Sequence, residues 1–133
     1  MTASPAVERA QPTVSVVMSV YSRVYVGLAI ESILAQTYRD FEFILVDDSA
    51  DPTTAALLDQ YAARDHRMVV HHNERNIGQT RSLNTGFALA RGRYIARQDD
   101  DDISLPQRLA QEVALLENRP EIGLVGTQMQ LID

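Results

Sequence analysis

Four times between residues 14 and 116 the chain alternates a short apolar run with a segment whose apolar residues recur at helical spacing. Successive strands joined this way cannot be hairpins, because each helix carries the chain back to start a new strand in the same direction. The expectation is an α/β domain with a mainly parallel sheet and helices on both faces. Val14-Ser15-Val16-Val17-Met18-Ser19-Val20 is nearly continuous in apolar, β-branched character, as a strand buried on both sides should be. Val26, Ala29, Ile30, Ile33 and Leu34 then fall on one face of a helix. A second strand is expected at 41–46 and a helix opened by Asp51-Pro52, with Leu57, Leu58, Tyr61 and Ala62 inward. A third strand at 68–71 precedes a helix from about Gln79 to Ala90 that turns Leu83, Phe87 and Ala90 inward and ends at Gly92. Residues 93–98 read as the fourth strand. Ser104 and Gln107 form a capping-box pattern for a helix striped by Leu105, Leu109, Val113 and Leu116, and 122–127 reads as the start of a fifth strand.

Parallel strands deliver all their carboxyl ends to one edge, which is where open α/β sheets bind ligands. Val20-Tyr21-Ser22, Asp47-Asp48-Ser49 and the four aspartates Asp99, Asp100, Asp101 and Asp102 should meet there. Adjacent carboxylates repel one another and raise each other's pKa unless a cation or strong donors share the site. The acidic run therefore asks for a divalent metal, with a solvated acidic loop as the competing reading. Tyr21 offers a flat face for a base to stack on, and Asp48 an acceptor for a pyrimidine imide N–H. Mn²⁺ and Mg²⁺ suit one or two such carboxylates, with substrate phosphates completing the shell.

Other acidic motifs fail on their letters. An EF-hand loop counted from Asp99 needs glycine and glutamate where Ser104 and Ala110 stand. Haloacid-dehalogenase-like phosphatases need a second aspartate two residues after the nucleophile, where Ser49 or Ala50 stands, and response-regulator receivers rely on a lysine. All twelve positively charged residues are arginine, so a P-loop is excluded as well. The net charge of −6 argues against non-specific nucleic-acid binding. At 133 residues one domain is expected, with residues 1–12 as a disordered leader and 13–133 as the folded part. No apolar run approaches the roughly 20 residues that span a bilayer, residues 1–12 lack the pattern of a signal peptide, and there is no cysteine, so a cytoplasmic setting is expected.

In order and spacing these segments resemble family 2 inverting glycosyltransferases, whose nucleotide-sugar-binding domain has the GT-A fold. The resemblance runs over residues 13–127. It is carried by the 14–22 segment, Ala29-Ile30-Glu31-Ser32-Ile33-Leu34-Ala35-Gln36-Thr37-Tyr38, Val46-Asp47-Asp48-Ser49, Asn76-Ile77-Gly78, Leu83-Asn84-Thr85-Gly86 and Ala90-Arg91-Gly92-Arg93-Tyr94-Ile95. Asp99-Asp100-Asp101-Asp102-Ile103, with Leu105-Pro106 and Arg108-Leu109 after it, resembles the family's DXD segment and its helix.

The resemblance implies that Val20 and Tyr21 line the base and Asp48 bonds it. It implies that Asp99 contacts the ribose and Asp101 binds the metal, with Asp99 beside it, while Asp102 supports the cluster or faces the acceptor. The position between the two key aspartates is usually small, and Asp100 occupies it here, so a neighbouring register with Asp100 in the ribose role stays open. Arg81 or Arg75 is placed to neutralise a diphosphate. The implied reaction moves a sugar from a nucleotide-diphosphate sugar, with UDP favoured, to an acceptor hydroxyl with inversion, assisted by Mn²⁺ or Mg²⁺. The implied setting is bacterial polysaccharide synthesis, with a glycan or lipid-linked acceptor and peripheral association with the inner membrane face. In the family the general base lies beyond the stretch matched here. The chain is therefore expected to be the donor-binding part, completed by a C-terminal part or by a second copy. A sugar nucleotidyltransferase and a non-catalytic metal- or nucleotide-binding module are the alternatives.

Overall fold

The computed structural model describes residues 10–132. Its element order is β1 (Val14–Val20), α1 (Val26–Leu34), β2 (Phe41–Asp47), α2 (Pro52–Arg64), β3 (Met68–His72), α3 (Gln79–Leu89), β4 (Tyr94–Asp99) and α4 (Arg108–Asn118). The four strands form one sheet in the order β3-β2-β1-β4, and every pairing is parallel. Every residue of β1 and of β2 is buried, as their near-continuous apolar character requires of central strands, whereas the outer strands β3 and β4 mix buried with exposed positions.

The two faces of the sheet are covered unequally. Val14, Val16, Met18 and Val20 of β1 join Phe41, Phe43 and Leu45 of β2 on one face. Ala29, Ile30 and Ile33 of α1, Leu58 of α2 and Leu109 of α4 pack there. On the other face Val17, Ile44 and Val46 meet Leu83 of α3. That second face also buries polar groups. Glu42, 4% exposed, accepts hydrogen bonds from the Ser15 hydroxyl at 2.7 Å, the Arg91 N–H at 2.8 Å and the Arg91 guanidinium at 2.8 and 3.0 Å. Burial pushes this carboxyl up, but the Ser15 and Arg91 donors outweigh it and hold it below its ordinary value.

The registers Val20↔Asp47, Asp47↔His72 and Ser19↔Asp99 bring the strand ends level at one edge. The loops 21–25, 48–51, 73–78 and 100–107 therefore share that edge.

Several expectations need correction. Phe87 of α3 is 37% exposed; the helix instead sets Gly86 against the sheet, where an added Cβ would lie 2.4 Å from Val17 Cγ1. Close approach of the helix at Gly86 packs this face together with Leu83. The capping box does not form. The Ser104 hydroxyl donates to Gln98 at 2.7 Å, helical geometry is disfavoured for the residue before Pro106, and α4 begins only at Arg108 with Leu105 75% exposed. No fifth strand forms over 122–127 among the described residues: the segment joins no ladder, and Leu124 is 89% exposed. Of the expected leader, residues 1–9 lie outside the described residues. Pro12 is buried, and the Gln11 side chain donates to the Arg91 carbonyl at 2.9 Å.

Gly92 lies where the chain enters β4, and a Cβ there would come within 2.5 Å of Ser15 N and 2.7 Å of Val14 C. Both atoms are main chain of a buried central strand and cannot swing aside. Gly92→Ala is therefore expected to lower stability by about 1–3 kcal/mol in urea unfolding. Gly123→Ala, whose Cβ meets nothing within 4 Å, is the control expected to leave it nearly unchanged.

Candidate functional site

The three sequence segments expected to converge do so. Asp100, in the turn after β4, accepts hydrogen bonds from the main-chain N–H of Tyr21 at 2.8 Å and of Ser22 at 3.2 Å, latching the β1 loop to the acidic turn. Two clefts open at this edge. One of about 310 Å³ is lined by Tyr21, Ser22, Val24, Tyr25, Asp100 and Asp101. The other, about 270 Å³, is lined by Ser19, Tyr21, Asp48, Asn76, Gly78, Gln79 and Asp100. Tyr21 and Asp100 belong to both, and Tyr21 is 70% exposed.

Asp48 is 2% exposed and is one of the residues lining the second cleft. It accepts from Ile77 N–H at 2.7 Å, Gly78 N–H at 2.9 Å and the Asn73 amide at 3.0 Å, while the Asn76 amide donates to its carbonyl at 2.9 Å. Burial pushes the carboxyl up. The Ile77, Asn73 and Gly78 donors, with Ser82, outweigh that and hold it below the ordinary carboxylate value. Gly78, at φ +91°, supplies the backbone that turns its N–H toward Asp48 as α3 begins. These loop donors were not singled out as site residues from sequence. The one signal was the Asn76-Ile77-Gly78 string, which carries no chemistry until the fold sets it beside Asp48.

The four aspartates, identical as letters, have different surroundings. Asp99 pairs with the Arg97 guanidinium at 3.0 and 3.1 Å and lines neither cleft. Asp100 is the latch, and Asp101 is exposed at the rim of the first cleft. Asp102 has its carboxyl raised, by burial first and then by the negative charges of Asp99 and Asp101, with Arg108 and Arg97 pulling the other way. Among the described residues no three His, Asp or Glu side chains form a complete metal cage. The donor set is one or two hard carboxylates under mutual repulsion, which fits a Mg²⁺- or Mn²⁺-type ion that takes its remaining ligands from phosphate and water.

Val20 is fully buried in the larger core cluster; what it brings to the edge is its carbonyl, which accepts the Asp48 N–H at 2.8 Å. Arg81 is exposed in the first turn of α3, outside the lining of either cleft. Behind the site His72 bridges Asp47 and Asp59, with a ring nitrogen 2.8 Å from each. These two carboxylates, Asp47 first, raise its pKa against the opposing effect of burial. His72 thus has a structural role, tying β3 to the end of β2 and to α2. No helix among the described residues is long and apolar enough to cross a membrane.

The family model described as glycosyl transferase family 2 matches residues 15–131. An uncharacterized glycosyltransferase of Methanocaldococcus jannaschii is 40% identical over 129 residues, which are 95% of this chain and 44% of that protein. The O-antigen biosynthesis glycosyltransferase WbnJ of Escherichia coli is 39% identical over 126 residues, 90% of this chain and 47% of its own. The chain thus spans about half the length of the curated relatives it matches. S. aureus TarS in complex with UDP-GlcNAc superposes with a TM-score of 0.75 at 23% identity, over 81% of this chain and 32% of that one. The mannosyltransferase PcManGT from Pyrobaculum calidifontis, in complex with GDP-Man and Mn²⁺, gives 0.72 at 21% identity, over 80% and 32%.

The Asp48 clamp has a pH signature. A carboxyl held below its ordinary value of 3.8 contributes stability that is complete above that value and is lost as pH falls through the lowered one. Asp48→Asn, which turns an amide N–H₂ toward donors, is expected to cost roughly 1–3 kcal/mol at pH 7. The gap from wild type should close in acid, and hydrogen exchange at the Ile77 and Gly78 amides should accelerate in the variant. Equal exchange rates at pH 7 would contradict the clamp.

Proposed function

The chain belongs to glycosyl transferase family 2 and has the GT-A fold, and from that premise we propose that it is the nucleotide-sugar-binding part of an inverting glycosyltransferase. The donor is a UDP-sugar, and the acceptor is a hydroxyl of a glycan or lipid-linked glycan built at the inner face of a bacterial membrane. The observation that carries this reading is the meeting of Tyr21, Asp48 and Asp100 on a single cleft at the carboxyl edge of the sheet. The relative named for O-antigen biosynthesis supports a polysaccharide product. The neighbour bound to UDP-GlcNAc supports a uridine donor, and the one with GDP-Man and Mn²⁺ supports the metal.

In this reading each residue has a physical task. Tyr21 stacks on the base, and Asp48 accepts its imide N–H. The loop donors around Asp48 keep it ionised and hold it still, so little reorganisation accompanies binding. Asp100 takes the ribose side in preference to Asp99, because Asp100 lines both clefts while Asp99 is committed to Arg97. Asp101 holds Mn²⁺ or Mg²⁺, with Asp99 as the other candidate ligand and Asp102 supporting the cluster from the acceptor side. When bound, the metal supplies Lewis-acid neutralisation of the departing diphosphate. Arg81, at the start of α3, adds a guanidinium to that charge balance. The acceptor oxygen bonds to the anomeric carbon as the carbon–oxygen bond to the diphosphate breaks. The leaving group keeps the electron pair, and the acceptor's proton passes to a general base.

Calorimetric titration of UDP, GDP, dTDP and CMP, with Mn²⁺ and again with EDTA, tests this reading. UDP is expected to bind most tightly and to bind more tightly with Mn²⁺. Tyr21→Ala should weaken it by about 1–3 kcal/mol, and Asp101→Ala should abolish only the metal-dependent part. Absence of binding under every condition would overturn the donor-site assignment.

A further inference from the structure

The turn that carries Asp101 and Asp102 is held on one side by the Asp100 latch and on the other by buried side chains that bond its main chain. Gln98, 2% exposed, donates its amide N–H₂ to the carbonyl of Asp102 at 2.8 Å and to that of Asp99 at 3.3 Å, spanning the turn. Its amide oxygen accepts from the Ser104 hydroxyl at 2.7 Å and from the Arg108 guanidinium at 2.8 Å. Arg108 is itself fixed, donating to the Arg97 carbonyl at 2.9 Å and the Ser104 hydroxyl at 3.1 Å and pairing with Glu112 at 3.2 Å. These partners decide which way the amide points. A flipped Gln98 would face N–H₂ toward a guanidinium and oxygen toward two carbonyls, and both contacts are repulsive.

We propose that Gln98 and Arg108 are positioning residues of the donor site: they pin the turn at its Asp99 and Asp102 carbonyls, so that the carboxylates of Asp101 and Asp102 meet a divalent cation in one pose, while Asp100 is held independently by the Tyr21 and Ser22 N–H groups. Neither side chain touches cation or nucleotide. The inference rests on the donor-site reading above. Adjacent carboxylates push apart, and a turn without an anchor relaxes in whatever direction separates them, whereas Mg²⁺-type ions demand near-ideal geometry. Groups that orient metal ligands typically control metal affinity by about 10–100-fold.

Arg108 separates position from charge. Taking a cation away from an acidic turn, by Coulomb's law alone, tightens Mn²⁺ binding, whereas loss of a positioning residue loosens it. The variants are Arg108→Gln and Gln98→Met, the latter uncharged and of similar length, with Arg108→Lys as the conservative member. Mn²⁺ is titrated into the chain saturated with UDP, with free Mn²⁺ followed by electron paramagnetic resonance. UDP binding in EDTA and the melting temperature are measured alongside. For Arg108→Gln and Gln98→Met the Mn²⁺ Kd is expected to rise about tenfold or more while UDP binding in EDTA stays near wild type, and Arg108→Lys should fall between. Unchanged or tighter Mn²⁺ binding in Arg108→Gln overturns the inference. So does a parallel loss of Mn²⁺ and UDP binding, the mark of general loosening. If Gln98→Met fails to fold, Arg108→Gln decides alone. A wild-type chain that binds neither UDP nor Mn²⁺ overturns the donor-site reading and this inference with it; a wild type that binds both beside unaffected variants overturns this inference only.

Discussion

Burial of β1 and β2 along their whole length, on both faces, is the constraint from which the rest of the molecule follows. A strand in that position can carry polar groups inside the sheet only if each finds a partner, as Glu42 does with Ser15 and Arg91. Unpaired charge has to wait for the strand ends. Because all the pairings are parallel, those ends lie at one edge, and the chain concentrates its aspartates there. The site is in this sense where the sheet stops being able to bury what the sequence contains.

The carboxylates at that edge are managed in two ways. Asp48 and Asp100 accept hydrogen bonds from protein N–H groups that stabilise their charge, one holding the 73–78 loop and the other the β1 loop. Asp101 and Asp102 are exposed, and the carboxyl of Asp102 is raised, by burial first and then by the charges of Asp99 and Asp101. Under the proposed donor-site reading, hydrogen-bonded carboxylates beside less encumbered ones would let a cation and a diphosphate bind with little rearrangement.

The sequence resolved some of this well, for reasons that are local. The bounds of β1 and α1 follow from a continuous β-branched run and a clean 3.6-residue stripe, and Asp51-Pro52 caps α2 as its letters suggest. Errors arose where tertiary contacts overrode local pattern. Ser104 looks like a helix cap until Gln98 takes its hydroxyl, and Phe87 looks like core until Gly86 is seen to let α3 approach the sheet. Residues 122–127 have strand-like letters but no neighbour to pair with among the described residues. The donors around Asp48 come from positions 25 to 30 residues later, a separation that no periodicity reports. Four identical aspartates cannot be told apart by composition, and only their neighbours distinguish them.

The latch at Asp100 has an asymmetry with a consequence for how such a site can diversify. Its two donors are main-chain N–H groups, which every residue except proline supplies, so the side chains at positions 21 and 22 can change without undoing it. Its acceptor is a side chain and has no such freedom. Under the proposed donor-site reading, the wall that would face a base is thereby open to drift while the frame beneath it is fixed, and descendants of one scaffold could come to prefer different nucleotides without first losing the fold.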